Sequence, residues 1–375
     1  MKGLGFAAMV CGWLASGCAM APSPAATPPA QVRESSKEAP LASAVLDLLE
    51  EYPVVGLGEE HRGRQFHDFF LELVAHPRFA ERVDDVVIEY GGGPHQGLAD
   101  RYFLELEAIP DAELSRIWRD TTQWLVWDSP LYERDLKAIR RLNETLPRAE
   151  RVRVVLGDPP IPWSEVRNAR DYKAYEDRDG FFAETTRHEV LAKGRRGLLV
   201  AGSAHFMEKG PRDPAFPKME PNTAEHLNGT QPGTLFTVLV LPAREAVQKE
   251  LGLGEASSLI VLGQTDLGAR SYAVIMPRAV SIQVVENGEK VMKPLWRMSW
   301  PPMRDVVDGL LWLGMGRDRV DPPAELYLEP AYQHELRRRA AILSEVNGGD
   351  YAQDLQSLID EARAAKSQEA PLPEG

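Results

Sequence analysis

Two rhythms of hydrophobic residues divide the chain. Short, mainly apolar runs recur at Val54–Leu57, Val83–Tyr90, Val152–Leu156, Gly197–Ala201 and Leu235–Leu241. Such runs, closed by glycine, proline or charge, predict strands covered on both faces. Between them apolar residues return at helical spacing, as in Phe66, Phe69, Phe70 and Leu73 along Phe66–Val74. Ala42–Tyr52 predicts a helix leading into the first strand. Pro110–Arg141 predicts a largely helical stretch carrying Trp118, Trp124, Trp127 and Tyr132, and Asn168–Lys193 a long polar helix. Strands alternating with helices predict βαβ units and a three-layer α/β fold with a mostly parallel central sheet flanked by helices. After Pro242 the pattern loosens. Ser258–Gly263 and Ser271–Val285 read as strands, and Pro302–Leu313, Tyr332–Glu345 and Tyr351–Ala364 as helices.

Composition sharpens the picture. The chain has 375 residues, enough for one large or two modest domains, and a formal charge of −13 with no basic stripe, which argues against a nucleic-acid partner. Residues 1–20 read as a signal peptide: Lys2 precedes an apolar run, Leu4–Ala15, too short to span a bilayer. Two cleavage readings stand. Ala15-Ser16-Gly17-Cys18 resembles a bacterial lipobox with Cys18 lipidated, and Ala19-Met20-Ala21 fits an A-x-A site. The expected location is accordingly the periplasmic face of the outer membrane through a lipid anchor, or the periplasm or medium as a soluble chain. Cys11 and Cys18 are the only cysteines, so the chain beyond the leader has no disulfide and no thiolate chemistry. The expected division is leader 1–20, flexible tether 21–41, α/β domain 42–242, a C-terminal α+β extension packing on the core over 243–366, and a disordered tail 367–375.

Chemistry gathers where strands end. The first run meets Gly58, then Glu59, Glu60 and His61, with His67 further on; the second ends at Glu89, the third at Asp158, and the fourth at Gly202-Ser203-Ala204-His205. Parallel strands put all four ends on one edge, so residues far apart in sequence become neighbours. A carboxylate beside an imidazole fixes its tautomer and raises its basicity, as a general base requires; two histidines with two carboxylates also make a divalent-metal set. Each residue has a plainer reading. Asp158 before Pro159-Pro160 suits a turn, His67 a helix surface or a supporting role, and the tryptophans a core. Ser203 lacks the flanking glycines of a nucleophile elbow. Gly91–Gly93 lacks the Lys-Ser/Thr of a phosphate loop.

These motifs resemble a superfamily that groups erythromycin esterases, ChaN-type haem-binding lipoproteins and Tiki/TraB proteins. Gly58-Glu59-Glu60-His61 matches its G-E-x-H motif in the ChaN spacing, with His67 in place of the further His; Glu89 matches the Glu closing the second strand, and Gly202–His205 the late G-x-x-H. The resemblance covers about Ala42 to Pro242. Arg62-Gly63 stands where ChaN-type proteins have an Asp, and Gly157-Asp158-Pro159 departs from their Asn and Pro-Arg.

The resemblance implies three functions. The first is a hydrolase of ester or amide bonds, in which His61 activates water, Glu59 or Glu89 orients the imidazole, and His205 binds the oxyanion or protonates the leaving group. The second is a haem-binding lipoprotein of haem uptake, with His67, Tyr90 or Tyr102 as the axial ligand. The third is a metal-dependent protease using His61, Glu89 and His205. No cofactor is required by the first. The expected partners are a small-molecule substrate or haem, with membrane attachment by the lipid anchor alone.

Overall fold

The computed structural model describes residues 40–369 apart from 214–215, 217–219, 277, 279, 287–288 and 317. The leader with Cys18, the tether up to residue 39 and residues 370–375 lie outside the described residues. At the centre is a seven-stranded sheet made of β1 (Val54–Glu59), β2 (Asp85–Gly92), β3 (Arg153–Asp158), β4 (Gly197–Gly202), β5 (Leu235–Val240), β6 (Ser258–Val261) and β9 (Gly309–Trp312). A separate two-stranded ribbon is made of β7 (Ser281–Glu286) and β8 (Glu289–Pro294). The strands of the large sheet lie in the order β3-β2-β4-β1-β5-β9-β6. All its pairings are parallel except β6 with β9. The two faces explain the unbroken apolar runs: β1 sends Val55 and Leu57 into a core with Phe70 and Phe103, and Val54 into the opposite core with Phe182 and Phe206.

The last third contributes β6 and β9 to this sheet. The boundary expected after Pro242 does not interrupt it, because β9 lies beside β5 with Val238 opposite Gly309. Pro302–Leu313 is therefore not a helix: a single turn over Met303–Asp305 leads into β9, which is buried throughout. A short apolar run fits a two-faced strand as well as a helix, and the open edge of β5 decides between them. Of Ser271–Val285, only the end is extended, as β7 of the separate ribbon.

Three more expectations change at helix ends. The first helix begins at Pro40, inside the expected tether, and the last, Tyr351–Glu369, runs into the expected tail. The long polar helix is broken, because Asn168 caps a short helix, Ala169–Tyr172, and Asp177 caps a second, Arg178–Glu189. Pro110–Arg141 holds two single turns, Asp111–Leu114 and Arg116–Arg119, then an irregular segment up to Ser129, whose side chain caps Pro130–Glu144. That irregular segment carries Trp124 and Trp127. The helix Pro330–Asn347 grips it: Arg339 bonds the Arg119 carbonyl at 2.6 Å and Asp120 at 2.5 Å, and the Tyr332 hydroxyl donates to Asp128 at 2.9 Å. Among the described residues no helix is long and apolar enough to cross a membrane.

Candidate active site

The expected convergence is present. β3, β2, β4 and β1 are adjacent and parallel, and Glu59 stands opposite Gly202, while Gly92 stands opposite Asp158. Both motif glycines are explained by close approach. A Cβ on Gly58 would collide with Leu239 Cδ2, and one on Gly202 would lie 2.7 Å from His61 Cε1. The imidazole of His61 rests on the bare backbone at the end of β4.

His61 and Glu59 form a dyad. His61 Nδ1 lies 2.5 Å from Glu59 Oε1, with the carboxylate 1% and the imidazole 37% exposed. Nε2 has no hydrogen-bond partner among the described residues, and the ring lines a cleft of about 220 Å³ with Glu60, Phe66, Leu241, Pro242 and Arg244. Burial disfavours the imidazolium, but the hydrogen bond and charge of Glu59, with Glu89 adding, outweigh it and raise His61 above its ordinary value. Glu60 is exposed and lines the same cleft. The edge of Trp127 meets the imidazole at 4.8 Å between centroids. Arg62, the next residue, takes a left-handed φ of 67°. Its backbone N–H donates to Tyr132 Oη at 3.1 Å and its guanidinium bonds the carbonyls of Leu125 and Val126. Leu125 is also left-handed, at φ 55°. Two strained residues, each costing about 1 kcal/mol or more, thus face each other across the turn that aims His61.

His205 is placed differently. Its Nδ1 lies 2.6 Å from Asp179 and its Nε2 3.0 Å from Glu89. Glu89 also accepts from Arg178 at 2.6 Å and from the Gly202 N–H at 2.7 Å. Burial opposes the imidazolium, yet the charge of Glu89 and the hydrogen bonds to Asp179 and Glu89 push His205 up to about 10. Burial alone would raise Glu89; the charges of His205 and Arg178 outweigh it and hold the carboxyl well below the usual range. Both nitrogens of His205 are committed, so it has no N–H to offer an oxyanion or a leaving group. That correction to the expected role follows from Asp179, which the sequence did not single out. Glu89 likewise does not orient His61. Asp158 is more than a turn residue: it is buried, accepts from Thr122 N at 2.6 Å and Thr122 Oγ1 at 2.7 Å, and pairs with Arg178 at 3.1 Å.

His67 is not on a surface. It is fully buried behind Glu59, its Nδ1 2.6 Å from Asp135 and its Nε2 4.0 Å from Glu59 Oε2. Tyr90 is 1% exposed, its ring packed on Tyr132 at 4.8 Å between centroids. Tyr102 lies in a different environment, under the Arg140 guanidinium at 4.4 Å. A haem ligand must reach iron from the wall of an open slot. These three residues, at 0%, 1% and 7% exposure, do not fit a haem. Among the described residues no group of three or more His, Cys, Asp or Glu side chains is arranged to hold a metal ion. Both ring nitrogens of His205 are engaged by carboxylates. The Ser203 hydroxyl donates to the Glu59 carbonyl at 3.3 Å. His76 is buried and accepts from the Arg78 N–H, and half-buried His95 pairs with Asp120.

The fold has solved relatives in shape. No protein-family model matches the chain, and no curated protein matches it by sequence. An erythromycin esterase mutant in its open conformation is 12% identical, over 74% of this chain and 94% of that one, with a TM-score of 0.48. A Bacillus cereus protein is 12% identical over 75% and 94%, with a TM-score of 0.47. ChaN of Campylobacter jejuni, described with cofacially bound haem, is 14% identical over 54% and 86%, with a TM-score of 0.35. The neighbours include two of the three groups named by the sequence motifs. At these identities the likeness is one of chain path.

The residues that sequence reasoning missed are Arg178, Asp179, Asp135 and Arg62. Asp177 before Arg178 was a legible helix start, which would have put Arg178 and Asp179 in a first turn. Asp135 had no such signal within its helix.

Proposed function

We propose that the protein is a hydrolase of ester or amide bonds in which His61 is the general base. The reading is carried by one observation: a half-exposed imidazole lines a cleft, with Nδ1 on a buried carboxylate and Nε2 free of protein partners. Neutral His61 donates Nδ1–H to Glu59 and takes a proton from water at Nε2 as the water oxygen bonds to the substrate carbonyl carbon. Glu59 stabilises the imidazolium that forms. When the carbon–leaving-group bond breaks, His61 returns the proton to the departing oxygen or nitrogen. His205, Glu89, Arg178 and Asp158 hold the strand ends, and through Gly202 the surface on which His61 rests. Sites for drug-sized ligands run to about 300–1,000 Å³, so the smaller cleft suits a short acyl group or the end of a longer substrate. The apolar leader and Cys18 support export and lipid anchoring as part of the same reading.

A panel of short-chain nitrophenyl esters and anilides tests it. The wild-type protein is expected to cleave at least one member with the rate rising as His61 deprotonates. Cleavage that survives unchanged in His61→Ala defeats the proposal.

A further inference from the structure

Behind the dyad lies a group of buried polar atoms that hydrolysis as described does not use. Glu59 Oε2, His67 Nε2, Tyr90 Oη, Trp127 Nε1 and Asp135 Oδ1 are all buried without a hydrogen-bond partner among the described residues. A buried polar atom left unpaired costs about 1–3 kcal/mol, so several in one place call for a ligand that can pair them. His67 Nε2 and Glu59 Oε2 are 4.0 Å apart, too far for a hydrogen bond. A gap of that size is one that a single water, about 2.8 Å from each atom, would bridge, and buried waters typically have about three polar partners. The aromatic walls are Tyr132, at 4.9 Å from His67 between centroids, and Tyr90 and Trp127, 6.1 Å apart.

We infer that His67, backed by Asp135, is a positioning residue: it holds the second oxygen of Glu59 through a bound water and so sets the proton affinity of His61. The inference rests on the dyad being the base. Asp135 holds the Nδ1 side of His67 at 2.6 Å, leaving Nε2 for the water. The charged groups facing His61 are Glu59, Glu89 and His205, and those facing Asp135 are His67, Arg134 and Glu59. A donor on Glu59 Oε2 stabilises the carboxylate. Losing it makes the deprotonated dyad less favourable, so the dyad keeps its proton to higher pH.

NMR titration of the His61 ring carbons in the full chain reads this without substrate. His67→Leu is expected to move the midpoint up by about one pH unit, and His67→Gln, which keeps polar atoms able to hold the water, to restore most of it. An unmoved midpoint in His67→Leu overturns the inference, as does an equal shift in both variants. Should His67→Leu fail to fold, a high-resolution crystal structure of the wild-type protein decides: a water in hydrogen-bond reach of Glu59 Oε2 and His67 Nε2 supports the inference, and direct side-chain contact overturns it. An unmoved titration in a protein that cleaves esters sinks the relay alone. A shifted titration in a protein that cleaves no ester or amide sinks the hydrolase reading alone.

Discussion

Two imidazoles stand at neighbouring strand ends, each beside a glutamate, and their surroundings give them opposite characters. His61 has one carboxylate on Nδ1, a free Nε2 and a third of its side chain in solvent. His205 has a carboxylate on each nitrogen, Asp179 and Glu89, and the glutamate is itself tied to Arg178 and a backbone N–H. The difference is the number of committed nitrogens. A proton on His61 can leave through an open atom, whereas on His205 it is trapped between anions and serves as a fixed charge. Residue type and strand-end position are shared by both, so neither distinguishes a base from a brace.

Substitutions can break this contrast. The largest expected effect is on turnover: His61→Gln should lower it about 10³-fold while the urea midpoint stays in place, whereas His205→Gln should move the midpoint. Equal losses of rate at unchanged stability in both would erase the distinction. Next in size is the brace itself. Removing one partner of a buried ion pair costs about 3–5 kcal/mol, so Arg178→Met, which removes the guanidinium shared by Glu89 and Asp158, should lower unfolding free energy by that order.

Alkaline pH probes the same brace more gently. The pKa of His205 is raised from an ordinary 6.5 to about 10 in the folded chain, so its stabilising charge is fully present below about pH 6.5 and is lost as pH rises through about 10. Urea unfolding should therefore weaken from pH 7 to pH 10.5 by a few kcal/mol at most, and His205→Gln should flatten that slope. A slope unchanged in the variant would show His205 to be uncharged. The smallest effect sharpens the other side of the contrast. In Glu59→Gln, burial is left to oppose the imidazolium, so the rising limb of the rate profile should move to lower pH by about one unit. A limb that stays put would mean that Glu59 does not tune the base.

Much of this site is legible in the amino-acid sequence. Glu59, His61, Glu89 and His205 follow from strand ends alone, because a parallel sheet gathers its carboxyl ends on one edge. The glycines of both motifs also belong to that logic, since the His61 ring occupies the space a Cβ on Gly202 would fill. What escaped was partner count. Asp179 and Arg178 come from a helix start after β3, and Asp135 comes from the middle of a helix whose packing partner is the Arg64–Ala75 helix. The C-terminal third was misjudged for a related reason. Gly309–Trp312 is too short for its own periodicity to say that it completes a sheet begun at residue 54.

The sequence by itself determined the layers, the common polarity of the strands and the acid–histidine edge, because hydrophobic runs and strand-end punctuation are local signals. Only the tertiary structure decided which histidine keeps an open ring nitrogen. That depends on how many carboxylates reach each ring and how much water remains, and those carboxylates arrive from distant segments whose meeting no local pattern encodes.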